Sequence, residues 1–160
     1  MNEATTPTSG APDSADLYAV FRSRRGRAVP MVMSTLAILL FTGFAVFVPG
    51  RGEGGSFGPG DRVMMFAMGA MIGLFLWRYV GIRAVPDERG IYVRNLILSR
   101  RVEWPEVEAV RFHGGAAWPV LALHDGDEVA VMAVQKADGP RASAEATRLA
   151  TLAQLGGGAH

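Results

Sequence analysis

Residues 83–112 read RAVPDERGIYVRNLILSRRVEWPEVEAVRF, and this stretch decides the fold of the C-terminal half. Its apolar residues recur at period two. Ile91 and Val93 take one face while Tyr92 and Arg94 take the other; Val102 and Trp104 oppose Arg101 and Glu103. The turn signals Pro86-Asp87-Glu88-Arg89-Gly90 and Trp104-Pro105 interrupt the alternation. Together with Gly114-Gly115 and Asp125-Gly126-Asp127 further on, they predict strands near Arg83–Val85, Gly90–Asn95, Ser99–Trp104, Ala109–Phe112, Val120–His124 and Glu128–Val134. The last of these is apolar on both faces, which predicts a central strand or one leaning on a membrane. Beyond it, Asp138-Gly139-Pro140 breaks the chain. Ala142, Ala146, Leu149, Leu152 and Ala153 then fall on one helical face, with Arg141, Glu145 and Arg148 elsewhere on the wheel. Gly156-Gly157-Gly158 ends that helix.

Toward the N-terminus the pattern changes. Residues 30–48 (PMVMSTLAILLFTGFAVFV) carry no charge, and residues 63–80 (VMMFAMGAMIGLFLWRYV) carry only Arg78. At about 1.5 Å per residue each run reaches roughly 27–28 Å, close to the ~30 Å apolar core of a bilayer. Trp77 and Tyr79 flank Arg78, as interfacial aromatics flank a snorkelling cation. The alternative, two buried helices of a water-soluble core, requires more covering chain than remains. The connection at 49–62 is rich in Gly and Pro and short, so the two runs form an antiparallel transmembrane hairpin. The expected organisation is a disordered, basic N-terminal segment at 1–28, transmembrane helices at 29–48 and 63–80, an external loop at 49–62, and a β-domain with a C-terminal helix at 81–156. Ser14 and Asp16 suit a short helix start before the cations, with Leu17, Val20 and Phe21 forming its apolar face.

Charge sets the expected orientation. Arg22, Arg24, Arg25 and Arg27 precede the first run, and Arg78, Arg83, Arg89, Arg94, Arg100 and Arg101 lie at and beyond the end of the second. In the loop, Arg51 and Arg62 are balanced by Glu53 and Asp61. The positive-inside rule then predicts a multi-pass protein of the plasma membrane with both termini in the cytoplasm and Arg62 at the outer interface. Arg22–Arg27 would also attract anionic lipid. Ser23-Arg24-Arg25-Gly26-Arg27 faintly resembles a twin-arginine export motif, but the following run is too long for a signal and no A-x-A site follows.

The chain has no cysteine, which excludes disulfide scaffolds, thiolate metal sites and Cys nucleophiles. A formal net charge of +1 argues against a nucleic-acid partner. His124 has Asp125, Asp127 and Glu128 beside it, but Asp-Gly-Asp between two alternating runs is a hairpin turn before it is a metal site. His113 and the terminal His160 add nothing to it. Glu103, Glu106 and Glu108 alternate with Trp104, Val107 and Val110 and read as a solvated strand face, not as acid–base catalysts. No phosphate loop or nucleophile elbow is present, so no catalytic residue, cofactor or metal is expected. Gly69-x-x-x-Gly73 is a small-residue face for helix packing, either against Gly43 and Ala37 of the first run or in a homodimer.

Gly90, Ile91, Val93, Arg94 and Asn95, then Arg100, Trp104 and Val107, then Asp125-Gly126 form a pattern that resembles bacterial pleckstrin-homology-type (PH-like) domains. The similarity is to the low-molecular-weight protein antigen 6 type of high-GC Gram-positive membrane proteins, and it covers about 30–155. It implies an α+β, membrane-anchored protein: a two-helix hairpin, then a PH-like antiparallel sheet or partial barrel closed by a C-terminal helix. It implies no catalysis and no defined ligand. The first strand–strand loop, Pro86-Asp87-Glu88-Arg89, lacks the basic cluster of phosphoinositide-binding members. The expected function is a membrane-tethered, non-enzymatic adaptor presenting the cytoplasmic domain to protein or lipid, with Arg94, Arg100 and Arg101 as the interaction surface. The alternative is an accessory subunit of a membrane enzyme or transport complex. The expected partners are the lipid bilayer and either a membrane protein or a second copy.

Overall fold

A computed structural model describes residues 14–50 and 54–158. The disorder expected for 1–13, the loop charges Arg51 and Glu53, and His160 lie outside the described residues. In chain order the elements are α1 (Ser14–Leu17), α2 (Arg25–Phe47), α3 (Pro59–Val80), β1 (Arg83–Pro86), β2 (Gly90–Arg94), β3 (Ser99–Glu103), β4 (Val107–Arg111), β5 (Val120–Leu123), β6 (Glu128–Ala130) and α4 (Pro140–Gly157).

α2 and α3 are the two charge-poor runs, each extended at its N-terminus. α2 begins at Arg25, inside the basic cluster, because Ser23 Oγ accepts the Gly26 N–H at 2.8 Å. α3 begins at Pro59, and the Asp61 carboxylate accepts the Gly58 N–H at 2.7 Å. The helices are antiparallel: Ser34 Oγ donates to the Gly73 carbonyl at 2.9 Å, and Gly69 meets Phe41. Further along, Arg62 donates to the carbonyls of Ala45, Val46 and Val48. Arg62 therefore closes the open C-terminal end of α2, satisfying carbonyls that have no partner in their own helix. Gly69 and Gly73 are buried, and a Cβ at either position would come within 2.7–2.8 Å of Phe41 or Ile38. Gly43 does not take part: nothing lies within 4 Å of the place its Cβ would occupy.

The large side chains of this pair point outward. Leu39 is 62% exposed, Leu74 72% and Phe47 85%. Only 11% of the most apolar window of either helix is buried within the chain. Both are long and apolar enough to cross a membrane.

The remaining chain forms two three-stranded antiparallel sheets, β1-β2-β3 and β4-β5-β6, with α4 against them. The expected strands are present with small shifts of boundary, and no closed barrel forms among the described residues. Two expectations are corrected. The last strand stops at Ala130; Val131 N–H still donates to the Pro119 carbonyl at 2.9 Å, and Met132–Val134 then leave in a turn, with Val134 N–H donating to Val131 O. Val131, Ala133 and Val134 are buried all the same, which is why the stretch is apolar on both faces. The second correction concerns the segment before α2. α1 ends at Leu17, Val20 is 40% exposed, and Phe21 is fully buried in extended backbone. Phe21 exchanges hydrogen bonds of 2.9 and 3.1 Å with Ala84 of β1. Arg148 stacks over the Phe21 ring at 3.8 Å and donates to the carbonyls of Asp16, Leu17 and Ala19. It is a clasp for the incoming chain, not a solvent-facing residue.

The core gathers Ile91, Val102, Leu121, Leu149 and Leu152 around Trp104, which is 1% exposed. Trp104 Nε1 donates to the Asp87 carbonyl at 2.8 Å, and its N–H donates to the Arg89 carbonyl at 3.1 Å, so one residue fills the core and pins the β1–β2 turn. Gly156 covers the indole so closely that a Cβ there would fall 2.3 Å from Trp104 Cδ1. Trp104→Ala is expected to destabilise the domain by about 3–5 kcal/mol, enough to unfold so small a unit. Limited proteolysis of the full chain checks this: the C-terminal half should become protease-sensitive. A resistant C-terminal half would contradict Trp104 as the centre of the core.

Candidate interaction surface

The β2–β3 hairpin carries the three candidate arginines, and the register divides them. Tyr92 opposes Arg101, and Val93 opposes Arg100. Opposed residues of an antiparallel pair share a face. Arg94 and Arg101 therefore lie with Tyr92 on the outer face, and Arg100 lies with buried Val93 on the inner one. The three do not form one patch.

Two of them are occupied. Arg101 Nη2 reaches both Asp87 carboxylate oxygens, at 2.9 and 2.7 Å. Arg100 Nη1 reaches Asp127 Oδ2 at 2.8 Å, linking β3 to the β5–β6 turn. Arg94 makes no ion pair or hydrogen bond among the described residues, and its guanidinium lies beside Gly81, just past the end of α3.

Beside Arg100 a half-open groove of about 430 Å³ runs between this hairpin and β6. Val93, Leu96, Leu98, Val129, Ala130 and Met132 line it, with Arg100 and Glu128 also among its lining residues. It exists because the sheets part here. In place of further strand pairing, Asn95 Nδ2 donates to the Ala130 carbonyl at 2.7 Å, and Asn95 Oδ1 accepts the Met132 N–H at 3.3 Å. The hairpin tip is apolar where turns are ordinarily polar: Ile97 is 76% exposed and Leu98 75%. Arg78, in the last turn of α3, donates to the Leu96 carbonyl and holds this tip against the end of the helix. Three consecutive apolar residues between two alternating strands were the available sequence signal for this feature.

The other candidates are dispersed. His113 and His124 are both exposed, and no group of three or more metal-ligating side chains occurs among the described residues. Glu103, Glu106 and Glu108 are exposed, and Glu106 caps the turn after β3 by accepting the Glu103 N–H at 2.8 Å.

Residues 82–151 match the bacterial PH domain family. Over this segment the chain is similar to bacterial PH domains, and the segment is the PH-like domain, or PH domain for short. The chain is 37% identical over 84 residues to an uncharacterised protein of Mycobacterium tuberculosis, covering 52% of this chain and 54% of that one. It is 42% identical over 55 residues to low molecular weight protein antigen 6 of the same organism, covering 34% of this chain and 48% of that protein. The chain thus spans about half the length of the curated relatives it matches. No solved structure matches it.

The first loop of the PH domain, between β1 and β2, is organised by a carboxylate. Besides Arg101, Asp87 Oδ1 accepts the N–H groups of Arg89 at 2.9 Å and Gly90 at 3.0 Å. Partial burial pushes this carboxyl up, but the Arg101 hydrogen bond, the two backbone N–H groups and the Arg101 charge together outweigh it. They hold Asp87 below the ordinary 3.8. Gly90 completes the turn, since a Cβ there would fall 2.2 Å from the Val102 carbonyl oxygen. A carboxylate favoured in the folded state stabilises it above its unfolded pKa, and that contribution is lost as pH falls through the lower folded value. The stability difference between the native chain and Asp87→Asn should therefore be present at pH 7 and close below about pH 3.8. Thermal unfolding of the detergent-solubilised chain at a series of pH values measures it. A difference that persists unchanged at pH 3 would contradict this role for Asp87.

Proposed function

We propose that the protein is a membrane-tethered, non-enzymatic adaptor. Its α2–α3 hairpin spans the plasma membrane, and its PH domain lies on the cytoplasmic side, presented to protein or lipid against the headgroups. The observation that carries this reading is the junction: only Gly81 and Ile82 separate α3 from β1, and the exposed Ile97 and Leu98 are fixed beside Arg78 in the last turn of α3. An apolar tip next to cations at the end of an apolar helix suits a headgroup boundary. Arginines clustered around the start of α2 and at and beyond the end of α3 support the cytoplasmic orientation. A second reading, an accessory subunit of a larger membrane complex, is favoured by the outer face of α2. There Gly43 is an open notch among Leu40, Phe44 and Phe47 into which another helix would fit.

Alkaline carbonate treatment should leave the protein in the membrane pellet. In intact cells, tags at the two termini should be inaccessible, and a tag inserted in 52–58 accessible. Release by carbonate would contradict the hairpin, and an externally accessible C-terminus would reverse the orientation. A stoichiometric membrane partner co-purifying in mild detergent would favour the subunit reading.

A further inference from the structure

A second groove, of about 570 Å³, lies where the chain enters α2, at the end of α3 and the start of α4. Its lining combines two chemistries. Arg22, Arg24, Arg27 and Arg141 supply four guanidinium groups. Met31, Val32 and Val80 supply an apolar floor continuous with the outward faces of α2 and α3.

Three of the four cations lack counterions, and the fourth shares one. Arg22, Arg24 and Arg27 make no side-chain hydrogen bond or ion pair among the described residues. Arg141 has Glu145 at 3.8 Å, but Glu145 is held by Arg148 at 2.6 Å. Like charges gathered on one groove repel unless an anion sits among them. The need to orient the hairpin accounts for Arg22, Arg24 and Arg27, which adjoin α2 in sequence. It does not account for Arg141, which folding of the PH domain brings to the same groove from α4.

We propose that this groove binds one anionic phospholipid, with its phosphate among the four arginines and an acyl chain along Met31 and Val32. The proposal rests on the membrane reading above. Guanidinium groups suit phosphate oxygens, and the apolar floor suits the chain that a free phosphate lacks.

The test uses the full chain in mild non-ionic detergent, titrated with phosphatidylglycerol or phosphatidylcholine, with lipid occupancy read by native mass spectrometry. Phosphatidylglycerol should be retained in preference to phosphatidylcholine. Arg141→Gln should weaken its retention about fivefold, the equivalent of one cation at a membrane surface, and Arg24→Gln with Arg27→Gln should weaken it further. Arg111→Gln, whose native side chain pairs with Glu128 instead, should change nothing. Equal retention of the two lipids, or an Arg141→Gln chain indistinguishable from the native one, would overturn the proposal. Displacement of the lipid by an equal concentration of inorganic phosphate would also overturn it, because the site would then read charge alone. Carbonate extraction of the same variants separates the two readings. If the native chain is released, the membrane assignment falls; if it stays in the pellet while lipid selectivity is absent, the groove assignment falls alone.

Discussion

The pairing of Phe21 with Ala84 is the contact on which the rest of the arrangement depends. The chain passes through it just before α2 begins, and α3 returns to the same strand after Gly81 and Ile82. Both ends of the helical hairpin are thereby tied to β1. The start of α2 is tied again: Arg25 donates to the Ala137 carbonyl at 2.8 Å, and its N–H donates to Asp138 Oδ1 at 3.2 Å. A unit held at both strands of the hairpin cannot swing as if on a single linker. Whatever surface the PH domain offers, it offers at one height and orientation relative to the two helices. The Arg148 clasp matters for this reason, since it fixes the backbone immediately before Phe21.

The helical pair inverts the usual placement of side-chain size. Ser34, Ala45, Gly69 and Gly73 are buried in the helical pair, while most of its leucines, phenylalanines and methionines face outward. In water that arrangement leaves the hydrophobic effect unused. In hydrocarbon it is the favourable one, because close backbone approach is what holds two helices together there. The proposed membrane setting thus explains a packing that an aqueous setting does not.

The parts of this architecture that follow from local pattern were legible in the sequence. Uninterrupted apolar runs marked α2 and α3, alternation marked most of the strands, and helical spacing marked the buried face of α4. Trp104 stood out because an alternating strand met Pro105 there. Features made by distant segments were not legible. Nothing local to Phe21 reveals that it pairs with Ala84, and Arg148 looks like any solvated helix residue until the incoming chain lies across it. Val131–Val134 alternates as a strand would, yet the chain turns once Val131 N–H has donated to the Pro119 carbonyl, and Asn95 takes the Ala130 carbonyl and Met132 N–H on the opposite edge of β6. The candidate surface divided for the same kind of reason. Arg94, Arg100 and Arg101 are close in sequence, but pleating sends neighbouring side chains to opposite faces, and Asp87 and Asp127 then claim two of the three.

The proposed membrane anchor, rigidly joined to the PH domain, fixes the depth of every residue along α3 and β1. Because the chain contains no cysteine, spin labels can be introduced one at a time from 63 to 90 in the full chain reconstituted in vesicles. Their exposure to oxygen, which concentrates in hydrocarbon, and to a water-soluble nickel complex reports depth directly. The account predicts oxygen-dominated exposure on the outer face of α3 through Phe75, a sharp crossover between Arg78 and Ile82, and nickel-dominated exposure at Glu88. Nickel access along the middle of α3, or a gradual crossover spread over many residues, would contradict it.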